Sequence, residues 1–167
     1  DEIITMTPVY GRFFKVVHDT DRILVESPMK NDGGYYTMDL EDFESRITSK
    51  TRAVILCNPH NPSGRVWKRE ELKALADICM KHGLYIISDD IHCELVSEGH
   101  EHIFISSLSD EVKMKCVICT SPSKAFNLAG IHVANCFIFD EALRKRYMEV
   151  SEKSNAAESN AFAEAAL

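Results

Sequence analysis

The sequence predicts an α/β fold: a three-layer sandwich built on a mostly parallel sheet. Two observations carry that expectation. Short apolar runs alternate with amphipathic helical patterns along the whole chain, the order that feeds parallel strands through crossover helices. Three of those runs end in polar clusters: Asn58-Pro59-His60-Asn61-Pro62-Ser63-Gly64, Ser88-Asp89-Asp90-Ile91-His92, and Thr120-Ser121-Pro122-Ser123-Lys124. Open sheets bind ligands beyond the carboxyl ends of their strands, so three clusters placed there imply one shared site.

The elements come in this order. Val9 to Val17 reads as a helix opened by Thr7-Pro8, and Arg22 to Glu26 as a short strand. Asn31-Asp32-Gly33-Gly34 is a turn. Asp39 to Ile47 reads as a helix, with Thr37 a candidate cap and Leu40, Phe43 and Ile47 on one face. Ala53 to Cys57 is a buried strand. Lys68 to His82 is an amphipathic helix whose Leu72, Leu75, Ala76 and Cys79 share a face, and Gly83 stops it. Leu84 to Ser88, Val112 to Cys119 and Ala134 to Phe139 read as strands. Ala125 to Gly130 is compatible with a helix, Glu141 to Ser154 returns to helix, and Ala161 to Leu167 looks like a helix cut short. Between these last two, Ser154 to Asn160 loosens in composition.

Composition narrows the function. With 167 residues, 45% apolar and 27% charged, the chain suits one globular domain with a sizeable core. A net charge of -7, without a basic patch, argues against a nucleic-acid partner. No apolar run is long enough to span a membrane, and no signal peptide is visible, so a cytoplasmic protein is expected. The six cysteines lie mostly in apolar runs, where a reduced thiol behaves as a small hydrophobe. Cys116 and Cys119 spell C-x-x-C, but in a strand their thiols face opposite ways, which speaks against a redox or zinc pair. His100 and His102 lack a third ligand at sensible spacing, so no metal site is expected. There is no G-x-G-x-x-G and no P-loop. Trp67 is expected to pack beneath a helix.

Lys124 is the residue that draws chemistry. Its amine comes after a buried strand, where partial desolvation can make it a nucleophile. Taken with the other two clusters, it makes the chain resemble the fold-type I pyridoxal-phosphate enzymes, the aminotransferase class I/II superfamily. The likeness covers essentially the whole chain. Asn58-Pro59-His60-Asn61-Pro62-Ser63-Gly64-Arg65-Val66-Trp67 and Ser88-Asp89-Asp90-Ile91-His92 are in the style of the MalY/PatB group of cystathionine β-lyase-like proteins.

The resemblance implies a cofactor and a role for each site residue. Pyridoxal 5'-phosphate is the cofactor it implies, with Lys124 as its Schiff-base lysine and the catalytic proton carrier. By the same likeness Asp89 pairs with the pyridine nitrogen and keeps the ring an electron sink. Asp90 points to the other side and is structural. Asn61, rather than Asn58, bonds the phenolic oxygen of the cofactor, Tyr10 stacks on its ring, and Ser121 and Ser123 serve its phosphate. His92 stands where aminotransferases commonly carry tyrosine, and touches either the phenolic oxygen or Asp89. His132 occupies a place where the family often has a phosphate-binding arginine, a departure that weakens the phosphate cup.

Residues 1–167 are then expected to be a partial large domain. The family's phosphate-holding glycine loop precedes it, and a small domain with the carboxylate-clamping arginine comes after it. The implied activity is carbon–sulfur β-elimination on an amino acid, by a homodimer in the full-length protein. Transamination is the enzymatic alternative, and a non-catalytic fragment or interaction module is the alternative of another class.

Overall fold

The computed structural model describes residues 1–154, 156 and 160–166. The expected loosening after Ser154 and the end of the last helix at Leu167 fall partly outside them. Six strands form the main sheet, in the order β2 (Ile23–Pro28), β1 (Glu2–Thr7), β5 (Thr51–Cys57), β6 (Tyr85–Asp89), β7 (Cys116–Thr120), β8 (Asn135–Ile138). Every neighbouring pair is parallel except β7 with β8. Between β2 and β5 come a hairpin of β3 (Lys30–Asp32) and β4 (Tyr35–Thr37) and a short helix α2 (Leu40–Ser45). The other helices are α1 (Arg12–Asp19), α3 (Arg69–Lys81), α4 (Asp110–Met114), α5 (Glu141–Lys153) and α6 (Ala161–Ala166). This is the mostly parallel α/β sandwich that the alternating pattern predicts.

Pleating divides the strand side chains between two cores. Ile4, Met6, Val54, Leu56, Ile86, Cys116 and Ile118 face α3, whose buried stripe is Leu72, Leu75, Ala76 and Cys79, the face read from the sequence. Trp67 is buried in the same core and donates its indole N–H to the carbonyl of Cys57 at 2.9 Å. Ile3, Ala53, Ile55 and Cys57 face α1, which contributes only Phe13 and Val17. Gly83, at φ 68°, takes the left-handed turn that ends α3 and admits β6.

Several local expectations change. β1 is absent from the sequence reading, although Ile3-Ile4 and Met6 before Pro8 carry its signal; it lies inside the sheet between β2 and β5 and is buried along its centre. Val112 begins no strand: Ser109 caps α4 by accepting the N–H of Val112 at 3.2 Å, and Asp110 and Glu111 fill its first turn, so β7 starts only at Cys116. The cap of α2 is Asp39 and not Thr37, because its carboxylate reaches the N–H of Asp42. The segment after Lys124 forms turns and a short 3-10 helix at Ala129–Ile131 instead of an α-helix.

Candidate active site

The carboxyl ends of β5, β6 and β7 place the three polar clusters together. A cavity of about 230 Å³ is lined by Tyr10, Asn61, Asp89, His92, Ser123 and Lys124, with Cys57, Ile91 and Ala129 completing its wall. Register explains the convergence: Cys57 pairs with Asp89 and Asp89 with Cys119, so the three strands end at one level. A second, larger cavity of about 620 Å³ shares Asn61 and His92 with the first.

Asp89 is the last residue of β6 and faces the α1 side. Burial raises its carboxyl above the ordinary carboxylate value, and the N–H of Ile91, 3.3 Å from Oδ1, works against that. Among the described residues no cation pairs with it. Lys124 also lines the cavity, but its side chain is exposed, so the desolvation expected from the sequence is not what the structure gives. Its amine makes no hydrogen bond or ion pair among the described residues. Tyr10 is 44% exposed and sets one ring edge against Phe13, centroid to centroid 6.0 Å.

Asn61 sits in a loop whose shape is heavily determined. His60 donates its N–H to the carbonyl of Arg65 at 2.7 Å and accepts that of Gly64 at 2.8 Å, while Gly64 takes φ 71°. The N–H of Asn61 points at Cys57 Sγ, 3.3 Å away. Burial pushes that thiol up to about 12 and keeps it inert. The His60 ring bonds Ser63 Oγ at 2.8 Å, and burial, then the charge of Arg65, lowers its pKa to about 4.

Sequence reasoning quoted Arg65 in a motif and gave it no task. The structure shows a buried guanidinium whose Nη2 donates to both Glu71 oxygens at 2.8 and 2.7 Å and whose Nη1 donates to the carbonyl of Tyr36, stacked 4.7 Å over Trp67 and 4.3 Å over Tyr35. It ties the Asn61 loop to both α3 and the hairpin. Asn58 is buried and turned away from the cavity: its amide donates to the carbonyl of Ile103 at 2.9 Å.

Ser121 is the expected site residue that does not line the cavity. Its hydroxyl is donated to the carbonyl of Val133 at 2.6 Å and accepts the N–H of Ser123 at 3.1 Å, so it shapes the turn that carries Lys124. Ser123 Oγ lies 2.6 Å from Ser121 Oγ. His132 adopts a left-handed conformation, φ 57°. Asp90 does point to the opposite face, where its carboxylate is fully buried and 3.0 Å from His102 Nε2. His102, read as bland in sequence, therefore has a specific partner; only the fold brings residues 90 and 102 together. Among the described residues no cluster of metal-ligating groups occurs, and all six cysteines are free.

A mostly parallel α/β sheet with a lysine, a half-buried carboxylate and an asparagine converging at its carboxyl edge places a candidate ligand site where open sheets carry one. Comparison with known proteins gives the class. The model of the aminotransferase class I and II family matches residues 1–167, and the chain belongs to that family. It is 37% identical to cystathionine β-lyase PatB of Bacillus subtilis (strain 168), over 100% of this chain and 43% of PatB. Kynurenine–oxoglutarate transaminase 3 of Rattus norvegicus is 37% identical over 78% of the chain and 30% of that enzyme. The crystal structure of cystalysin from Treponema denticola, which contains a pyridoxal 5'-phosphate cofactor, superposes with a TM-score of 0.94 at 34% identity, over 98% of this chain and 42% of cystalysin. The chain thus spans less than half the length of these relatives.

Proposed function

We propose that this chain is part of the large domain of a pyridoxal-phosphate enzyme that breaks a carbon–sulfur bond of an amino acid by β-elimination. The observation that carries the reading is the convergence of Tyr10, Asn61, Asp89, His92, Ser123 and Lys124 on one cavity, in a chain similar along its whole length to a cystathionine β-lyase.

The residues fit the cofactor in their chemistry. Asp89 is a half-buried carboxylate whose pKa burial raises, and a protonated pyridine nitrogen would offset that burial. Lys124 offers an unpaired amine to the same space, and Asn61 an amide without a side-chain hydrogen bond among the described residues. Tyr10 offers an exposed ring face for stacking. The phosphate end is the least complete: Ser123 borders the cavity, whereas Ser121 serves the turn and His132 stands where the family often has arginine.

Bound pyridoxal phosphate supplies an electron sink for negative charge at the substrate α-carbon. The chain's own residues do the rest. Asp89 holds the proton on the ring nitrogen. Lys124 Nζ takes the proton from the substrate α-carbon, and the electron pair left behind expels the thiolate from the β-carbon. Transamination is the second reading, favoured by the similarity to a kynurenine transaminase; there Lys124 returns the proton to a different carbon and no thiolate leaves.

Borohydride treatment of the full-length protein is expected to fix the cofactor on Lys124. Peptide mapping that finds it on Lys113 or Lys115 would sink the assignment. A pyruvate-coupled assay on cystathionine, run beside an amino-transfer assay with a keto acid, separates the two reactions. Robust amino transfer without thiol release replaces the first reading by the second.

A further inference from the structure

Behind the cavity wall lies a polar cluster that the proposed chemistry does not use. Asp90 is fully buried and His102 nearly so, with side-chain exposures of 0% and 7% and a separation of 3.0 Å between Oδ1 and Nε2. The approach is electrostatic: although the two atoms lie at contact distance, neither side chain makes a hydrogen bond among the described residues. A carboxylate taken out of water is costly unless a positive or polar group stands beside it. Among the described residues His102 is the one cationic or imidazole group within ion-pair distance. The exposed ion pairs, such as Lys73–Asp77 on the surface of α3, have nothing comparable at stake.

The two residues bracket residues 91–101, which carry His92 and line part of both cavities. Every hydrogen bond made by the backbone of this segment is local: Ile91 to Asp89 Oδ1 at 3.3 Å, Cys93 to the carbonyl of Asp90 at 3.0 Å, Leu95 to that of His92 at 2.9 Å and His100 to that of Ser97 at 3.1 Å. Its attachment to the sheet is therefore at its ends. Asp90 reaches across to His102, and Asn58 donates its side-chain N–H to the carbonyl of Ile103 and its backbone N–H to that of Asp89, both at 2.9 Å. The His102 ring is packed against the edge of Phe104, centroids 4.5 Å apart, and Ile105 then enters the core.

We propose that Asp90 and His102 form a buried clasp that shuts residues 91–101 into a closed loop and thereby positions Asp89 and His92 at the cavity wall. The link to Asp89 is direct, because the first residue of the loop supplies the N–H that Asp89 Oδ1 accepts. Neither member of the clasp faces the cavity, so both are positioning residues. The consequence for the cofactor rests on the reading of that cavity given above; the clasp itself does not.

The test uses the full-length protein with His102→Leu, which removes the polar ring, and His102→Gln, which keeps a polar group near the same place. Amide hydrogen exchange is followed over residues 91–101, together with the visible band of the bound cofactor. The leucine variant is expected to exchange about tenfold faster in that segment, with α3 unchanged and the band shifted or weakened; glutamine restores both to within about threefold of the parent. If the leucine variant does not fold, Asp90→Asn, which keeps the shape and loses the charge, is expected to give the same local acceleration. Unchanged exchange, exchange that rises equally throughout the chain, or a faster loop beside an unaltered band overturns the proposal. A parent protein without any visible band sinks the cofactor reading alone, and the exchange comparison still decides the clasp.

Discussion

The face of the sheet under α3 and the face under α1 are built from the same strands and used for opposite ends. The α3 face buries a wide apolar cluster around Trp67, Phe43 and the α3 stripe, and its one carboxylate at the strand ends, Asp90, has a partner. The α1 face buries far less, around Phe13 and Val17, and at the same level leaves Asp89 without a cation and Lys124, Asn61 and Tyr10 without side-chain hydrogen bonds among the described residues. Asp89 and Asp90 are adjacent in sequence; the pleat alone sends one to each environment. The lesson is that groups open to a ligand collect on the α1 face, while the α3 face supplies most of the apolar burial that holds the sheet.

The comparison breaks most sharply at Lys124. Lys124→Ala is expected to lower activity of the full-length enzyme by about a thousandfold or more, since it removes the amine and its proton transfer together. Its melting temperature without cofactor should stay put, because an exposed side chain with no partner contributes within about 0.5 kcal/mol. A fall in cofactor-free stability would mean that Lys124 belongs to the structural side of the division.

The two aspartates come next. Asp89→Ala is expected to abolish most activity while leaving the cofactor-free fold as stable as before, because the lost carboxylate had no cation. Asp90→Ala should destabilise by about 3–5 kcal/mol, the usual range when one member of a buried pair is removed. Urea unfolding and a steady-state assay on both variants check this. Equal activity in the two would reject Asp89 as the residue that faces the cofactor. A purely apolar change on the α3 face, Leu75→Ala, should cost about 2–5 kcal/mol and leave the visible cofactor band in place.

Legibility in the sequence divides along the same line. The α3 face was readable because a 3.6-residue period and an alternating strand announce themselves locally: Leu72, Leu75, Ala76 and Cys79 needed no knowledge of their partners. The membership of the cavity was readable through motifs at strand ends. What escaped was whatever depends on long-range pairing. Ser121 has the right residue type at the right spacing, yet a carbonyl twelve positions on, at Val133, takes its hydroxyl. Arg65 and His102 have no period and no motif chemistry of their own; their partners Glu71, Tyr35 and Asp90 are set by the fold. β1 gives a weak local signal, because its apolar run is short, polar at Thr5 and Thr7, and followed at once by Pro8.

The smallest effect tests whether the Asn61 loop belongs to the stable side or the functional one. His60 is 3% exposed, and its pKa falls from 6.5 to about 4, chiefly through burial and secondarily through Arg65. The folded state therefore binds its proton less readily than the unfolded chain does. The stability this gives is fully present above pH 6.5 and is lost as pH falls through about 4. Between pH 7 and 5 the loss from this one group amounts to about 2 kcal/mol. His60→Asn keeps a polar atom for Ser63 but takes up no proton, so its urea midpoint should decline less over that interval than that of the parent. The Arg65 guanidinium packs against Tyr35 and Trp67 and bonds Glu71, so the loosening is expected to stay around His60. Parallel declines in parent and variant would show that His60 titrates in the folded protein as it does in the unfolded chain, and the loop that presents Asn61 would then be far more open to water than its packing against Trp67 implies.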